Sequence, residues 1–282
     1  MRIHALVCAL GLAASACSGP GVGAGGFDDA RAIATTPDGR LWVVDAAGVV
    51  VLRGGLPVRL GGVGTGAEAF LDPVDVDPTN GQAIFVVDRG AGAVLQFTGE
   101  ARVAATFPVY DVDPTQPLRQ PGGARERMRA QPIAVAAGPD GSLYVLDAGR
   151  RHVLRLDAEG AVERVLGAGV LSDPVDVAVD DAGALWVADA GRAEVRAFDP
   201  FGSPGPVIAI PSDVGRLVSV DASATGLMVG GVEGVAEIRD GLVEVIPLPI
   251  GDLPLRGVVR LGDSIVGVTA PGIVEWGGVG VD

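Results

Sequence analysis

Residues 174–211 read PVDVAVDDAGALWVADAGRAEVRAFDPFGSPGPVIAIP. Apolar and polar residues alternate in four runs, Pro174–Asp180, Ala184–Ala190, Glu194–Pro200 and Pro206–Pro211, punctuated by Gly, Pro and Asp. That pattern predicts four short strands joined by tight turns. The second run ends in Asp, and the ending recurs: LWVVD (Leu41–Asp45), IFVVD (Ile84–Asp88), LYVLD (Leu143–Asp147) and LWVAD (Leu185–Asp189), then weaker copies LMVGG (Leu227–Gly231) and IVGVT (Ile265–Thr269). Their last residues lie 43, 59, 42, 42 and 38 apart, and the long interval implies about seventeen residues inserted within Val109–Arg129. Residues 27–282 thus hold six units of about 43 residues, a length typical of propeller blades. One four-stranded unit cannot bury both its faces, whereas six around an axis can. The expected fold is an all-β, six-bladed β-propeller over 27–282, with an inserted loop at about 109–130. Its closing strand is expected either from Gly277–Asp282 or from a segment near Phe27.

The pattern of a Pro-led alternating strand, D-x-x-G, an aromatic strand ending in Asp and a following V-x-x-[F/L]-D resembles NHL repeats. The resemblance is good in blades two to four, partial in blade one and weak in five and six, and it implies the same six-bladed propeller. The polar positions of the turn after the Asp depart from the family: Arg150 and His152 stand there in blade three, Arg192 and Glu194 in blade four, Ala91 and Ala93 in blade two. Propeller enzymes of this kind use several His ligands, or Glu with Asn and Asp around a metal. This chain has two His, His4 and His152, and a single Asn, Asn80. Neither set can be assembled in its usual form, so no catalytic residues and no cofactor are expected.

The leader is read separately. Met1-Arg2 supplies a charge, Ala5–Ala14 an apolar run, and Ala14-Ser15-Ala16-Cys17 follows; this is the layout of a secretory signal peptide over 1–16. Ala14-x-Ala16 suits ordinary cleavage, while Ala14-Ser15-Ala16-Cys17 resembles the lipobox of bacterial lipoproteins, with Ala14 in place of the favoured Leu. The lipobox is preferred, because Cys8 leaves with the leader and Cys17 would otherwise be a lone thiol in an oxidising compartment. Lipidation at Cys17 is therefore expected, followed by a flexible tether to residue 26, in the cell envelope of a bacterium. By analogy with lipoproteins of two-membraned bacteria, Ser18 points to the outer membrane.

The formal charge of −14 argues against nucleic acid as a partner. Against that acidity, Arg119, Arg125, Arg127 and Arg129 gather in the insertion with only Glu126 opposing, a candidate patch for an acidic partner or headgroups beside the reading of a solvated loop. The aromatic position shared by Trp42, Phe85, Tyr144 and Trp186 suits packing between blades better than sugar stacking. Asp45, Asp88, Asp147 and Asp189 suit acceptors for turn N–H groups better than an acidic ring. His152, beside two Arg near an outer blade surface, is expected to be solvated or packed rather than a general base. Asp75 and Asp176 occupy one first-strand register, with Ala32, Ala134, Leu217 and Gly257 at about that place elsewhere. They are weak metal candidates, since two carboxylates are few for a hard cation. The expected function is a lipid-anchored, non-catalytic binding module or scaffold for an envelope protein or glycan. The alternatives are a propeller hydrolase or lyase with a carboxylate-metal site at the channel mouth, or a polysaccharide binder.

Overall fold

The computed structural model describes residues 21–23, 27–53, 56–66, 68–79, 81–115, 128–248 and 253–277. Cys17, the leader, Arg119, Arg125 and Arg127 lie outside the described residues. Six four-stranded antiparallel sheets follow one another around a central channel. Blade one is Ala32–Thr35, Leu41–Asp45, Gly48–Arg53 and Leu56–Leu60; blade two is Pro73–Asp77, Ala83–Asp88, Ala93–Thr98 and Val103–Pro108. Blade three is Pro132–Ala137, Leu143–Asp147, His152–Leu156 and Val162–Leu166; blade four is Pro174–Val179, Leu185–Asp189, Glu194–Phe198 and Pro204–Ala209. Blade five is Leu217–Ser223, Gly226–Gly231, Gly234–Arg239 and Leu242–Pro247. Blade six is Leu255–Leu261, Ser264–Thr269 and Gly272–Gly277, completed by Gly21–Gly23. Among the described residues the helical content is one 3-10 turn, Ser212–Val214.

The ring closes through its N-terminal end. Gly21–Gly23 pairs antiparallel with the last strand, Gly21 opposite Glu275 and Gly23 opposite Ile273. Those three residues fall inside the stretch expected to be a tether, a few positions ahead of the expected propeller boundary at Phe27, so for them the tether assignment is corrected. The physical reason is the unpaired backbone edge that Gly272–Gly277 would otherwise present.

Each strand is short because a turn residue ends it. Gly141 and Gly183 both have φ +82°, the left-handed conformation that the tight connections between first and second strands require. These turns, with those between third and fourth strands, form one face of the disc, here the lower face. The turns after the anchor aspartates and the connections between blades form the upper face.

The core lies in the seams. Trp42 and Val44 pack with Val76 and Phe97 between blades one and two. Phe85 and Val87 pack with Val135 and Leu143 between two and three, and Tyr144 and Leu146 with Val177 and Leu185 between three and four. Trp186, half-buried, packs against Val220 and Leu227. Met228 meets Val258 and Ile265, and Val266 meets Ile33 and Val43 across the closing seam. The equivalent aromatic positions thus face the next blade each time, and their ring surface is spent on packing rather than on a sugar.

Candidate functional site: the central channel and the upper face

First strands line a channel of about 560 Å³. Asp75 and Asp176 both reach it, and so do Asp77 and Asp221, which the sequence reading did not single out. Period-two alternation carries the signal: residue 77 shares a sheet face with 75, and 221 with 219. The same bulge interrupts the first strands of blades two to six; in blade five Leu217 stands at the place of Pro73, and Ser219, not Leu217, at that of Asp75.

These side chains face an unpaired edge. The innermost strand of a blade has no hydrogen-bonded neighbour on the channel side, and acids from the preceding blade cap its N–H groups. The amide of Val135 donates to Asp75 Oδ2 (2.8 Å) and that of Ala137 to Asp77 Oδ2 (2.6 Å). Val220 N–H donates to Asp176 Oδ2 (2.8 Å), while Val177 N–H occupies Asp176 Oδ1 (2.8 Å). Ser219 Oγ receives Val258 N–H at 3.2 Å, and Asp221 accepts from the backbone of Arg260. At the seam between blades three and four the corresponding residues are Ala134 and Ala136, and the packing there is hydrocarbon.

Burial raises the proton affinity of the four acids. Burial pushes Asp75 up to about 6, against its backbone donors and with the charge of Asp77 adding to the rise. Burial, then the Asp75 charge, lifts Asp176 well above the usual carboxylate range. Burial lifts Asp77, and Asp221 is pushed up to about 7 by burial with a contribution from Asp77. Arg260, also at the channel wall, is paired with Glu237. No group of three or more His, Cys, Asp or Glu suited to a metal ion occurs among the described residues.

On the upper face the anchor aspartates are buried and bind backbone. Asp88 accepts from Leu71, Asp72 and Ala91, and Asp189 from Ser172, Asp173 and Gly191, at 2.7–3.1 Å. Asp147 accepts from Gln131 and Gly149. Asp45 accepts from Asp28 and Ala47 and takes a two-pronged ion pair from Arg59 at 2.7 and 2.9 Å. Burial opposes ionisation of Asp45, but Arg59 and the backbone donors outweigh it and hold its carboxyl below the usual range. Each anchor ties the turn that follows it to the connection leading into its own blade, a wider role than the turn alone.

His152 opens the third strand of blade three and is fully buried. It is packed, not solvated. Its ring has no hydrogen-bond partner among the described residues; Nε2 is 3.8 Å from Asp147, and burial pushes its proton affinity down. A general base needs access to a substrate proton, and a fully covered ring offers none.

The insertion is rooted on the upper face. Asp111 N–H donates to Met128 O and Ala130 N–H to Val109 O, making a short stem. The guanidinium of Arg150 grips Asp111 at 2.6 and 2.7 Å, and Arg129, exposed, lies over the Tyr110 ring at 4.8 Å. Around the stem, exposed apolar side chains follow consecutive blade connections: Val63, Leu71, Met128 and Val170. Of the four insertion arginines, Arg129 alone is among the described residues.

Comparisons with known proteins agree with this architecture. A family model for the NHL repeat matches residues 171–198, the inner three strands of blade four. No functionally curated protein matches the sequence. Among solved structures, a catalytically inactive histidine-to-alanine variant of virginiamycin B lyase from Staphylococcus aureus with quinupristin superposes with a TM-score of 0.64 at 13% identity, covering 91% of this chain and 97% of that one. A streptogramin B lyase gives 0.62 at 13% identity over 93% and 86% of the two chains. A Bacteroides thetaiotaomicron protein of unknown function gives 0.63 at 12% identity over 93% and 72%. Likeness at such identity speaks to the fold: this chain is a six-bladed β-propeller bearing an NHL repeat.

Proposed function

We propose that the chain is a non-catalytic binding module, lipid-anchored through Cys17 in the bacterial cell envelope at the outer membrane, and that it holds an envelope partner on its upper face. One observation carries the reading. The insertion stem stands on that face among exposed Val63, Leu71, Met128 and Val170, beside the exposed cation of Arg129. Apolar side chains flanked by Arg are the composition of protein-binding surfaces. The channel supports catalysis less well, since both oxygens of Asp176 and one of Asp75 already hold backbone N–H groups.

The test is capture from cells. Replacing Arg119, Arg125, Arg127 and Arg129 with Ser, together with Met128→Ser, is expected to leave the melting temperature unchanged and to abolish recovery of a specific cross-linked envelope protein. Unchanged recovery would sink the assignment of this face. A second reading, a hydrolase or lyase working at the channel, is favoured by the four raised carboxyls. It predicts a stoichiometric divalent metal in the purified protein that Asp75→Asn removes, where the binding module predicts none.

A further inference from the structure

The anchor aspartate of blade three is satisfied on one oxygen only. In blade two the other oxygen, Asp88 Oδ2, takes the amide of Leu71, two residues ahead of Pro73. In blade four Asp189 Oδ2 takes that of Ser172, two residues ahead of Pro174, and in blade one Asp28 donates to Asp45 Oδ2 in the same way. Ala130 holds this place in blade three, since Pro132 pairs with its anchor as Pro73 and Pro174 do with theirs. Its amide is diverted into the stem of the insertion, where it donates to Val109 O at 3.0 Å. Asp147 therefore carries the amides of Gln131 and Gly149 on Oδ1, and no donor among the described residues is within hydrogen-bond distance of Oδ2.

His152 faces that open oxygen. Its Nε2 lies 3.8 Å from Asp147 Oδ2, and the fully buried ring has neither nitrogen hydrogen-bonded among the described residues. A buried polar group left without a partner is costly and calls for a reason. His152 shares a strand face with Leu154 and Leu156, which pack with Val109 and Ala130, so it lies against the root of the stem. The charged groups facing it are Asp147 from the second strand, Arg150 from the turn between, and Asp111 from the stem, whose carboxylate Arg150 grips. The fourth strand ends in Val165 and Leu166, and blade two offers Phe107; none of these is charged. Burial, the largest influence, and Arg150 disfavour a proton on the ring, whereas Asp147 and Asp111 attract it. Once protonated, the ring needs to close by only about 1 Å to make a charge-assisted bond to Oδ2.

We propose that the His152 imidazole and the Ala130 amide compete for Asp147 Oδ2, which makes the insertion stem a pH-sensitive element. A proton taken from solvent by His152 puts an imidazolium N–H on Oδ2 and leaves Ala130 N–H with Val109 O, so the stem is held. With the proton gone, Ala130 N–H turns to Oδ2, the arrangement of blades one, two and four, and the stem loosens. As regulation of the upper-face site this rests on the function proposed above; as a change in the stem it does not. The chain has two histidines, His4 and His152, so in a His4→Gln background the imidazole NMR signal of the purified protein belongs to His152 alone. Hydrogen exchange of residues 109–111 and 128–131, corrected for intrinsic rates, is followed from about pH 8 downwards, through the range where imidazoles change charge. Protection is expected to rise several-fold on acidification with the midpoint of the imidazole titration, and to lose that dependence in His152→Gln. Protection that does not follow the imidazole midpoint overturns the proposal, and so does an imidazole that stays neutral until the chain unfolds; neither result needs the variant to fold. Both leave the envelope partner to its own capture test, and failure of that capture leaves the behaviour of the stem standing.

Discussion

Asp75 and Asp176 are acids whose neighbours favour the protonated form. A carboxyl with a higher pKa in the folded chain than its ordinary value near 3.9 binds its proton more tightly when folded, so it stabilises the fold at low pH and loses that contribution as pH rises through the folded pKa. With Asp75 at about 6 and Asp221 at about 7, the loss begins near the ordinary value of about 4 and is essentially complete just above about 7. The melting temperature is therefore expected to climb as pH is lowered from 8 towards 5. The double variant Asp75→Asn/Asp176→Asn leaves one oxygen acceptor at each place, enough for the amides of Val135 and Val220 but not also for those of Val76 and Val177. It should flatten the slope, because two of the four raised acids no longer titrate. An unaltered slope in calorimetry would refute this account. Tyr144 behaves differently, being 1% exposed in the seam between blades three and four. Tyr144→Ala is expected to cost about 3–5 kcal/mol in denaturant titration, and Trp186→Ala, half-buried and held to Asp180 by its indole N–H, clearly less. Equal losses would contradict the seam assignment.

Among the elements, second strands were the most legible in the sequence. LWVVD and its copies carry a short apolar run, a large side chain for the next blade and an Asp that stops the strand, and the observed limits agree to within two residues. Fourth strands were less so. Pro204–Ala209 begins two residues ahead of the expected Pro206, because a nearly fully exposed strand has little apolar pattern to mark it. The channel was half legible: Asp75 and Asp176 share a register marked by the Pro two residues before each, but blade five has Leu217 in place of that Pro, which hides the register of Ser219, and Asp77 and Asp221 were passed over. For His152 the sequence left solvated and packed both open, because Arg150 and Arg151, both exposed, precede a ring that turns inward, and the packed alternative holds. The closing strand was least legible, since a Gly-Val-Gly segment carries almost no side-chain information and its partner lies at the other end of the chain. Removing residues 21–23 is expected to lower the melting temperature by several degrees and to promote self-association through the bared edge of Gly272–Gly277. Unaltered melting and monodispersity in light scattering would mean that the strand contributes nothing.

For the molecule as a whole, anchoring and folding are separable in one direction only. Cys17→Ala leaves Gly21–Gly23 in place, so the variant is expected to fold with an unchanged melting temperature yet move from the membrane pellet to the soluble fraction. Retention in the pellet at unaltered mobility would dismiss the acyl anchor. The reverse independence does not hold, because the strand that follows the proposed anchor is also the latch of the ring. Gly21–Gly23 leaves the ribosome before any other strand of the ring, and its partner Gly272–Gly277 among the last. Until the two ends meet, the ring is open and the edge of Gly272–Gly277 unpaired. Once they do, a pull on the N-terminal end along the strand, such as the proposed anchor would transmit, loads the hydrogen bonds of Gly21–Gly23 in shear, all at once rather than one after another, so a hold of three residues resists more force than its length suggests.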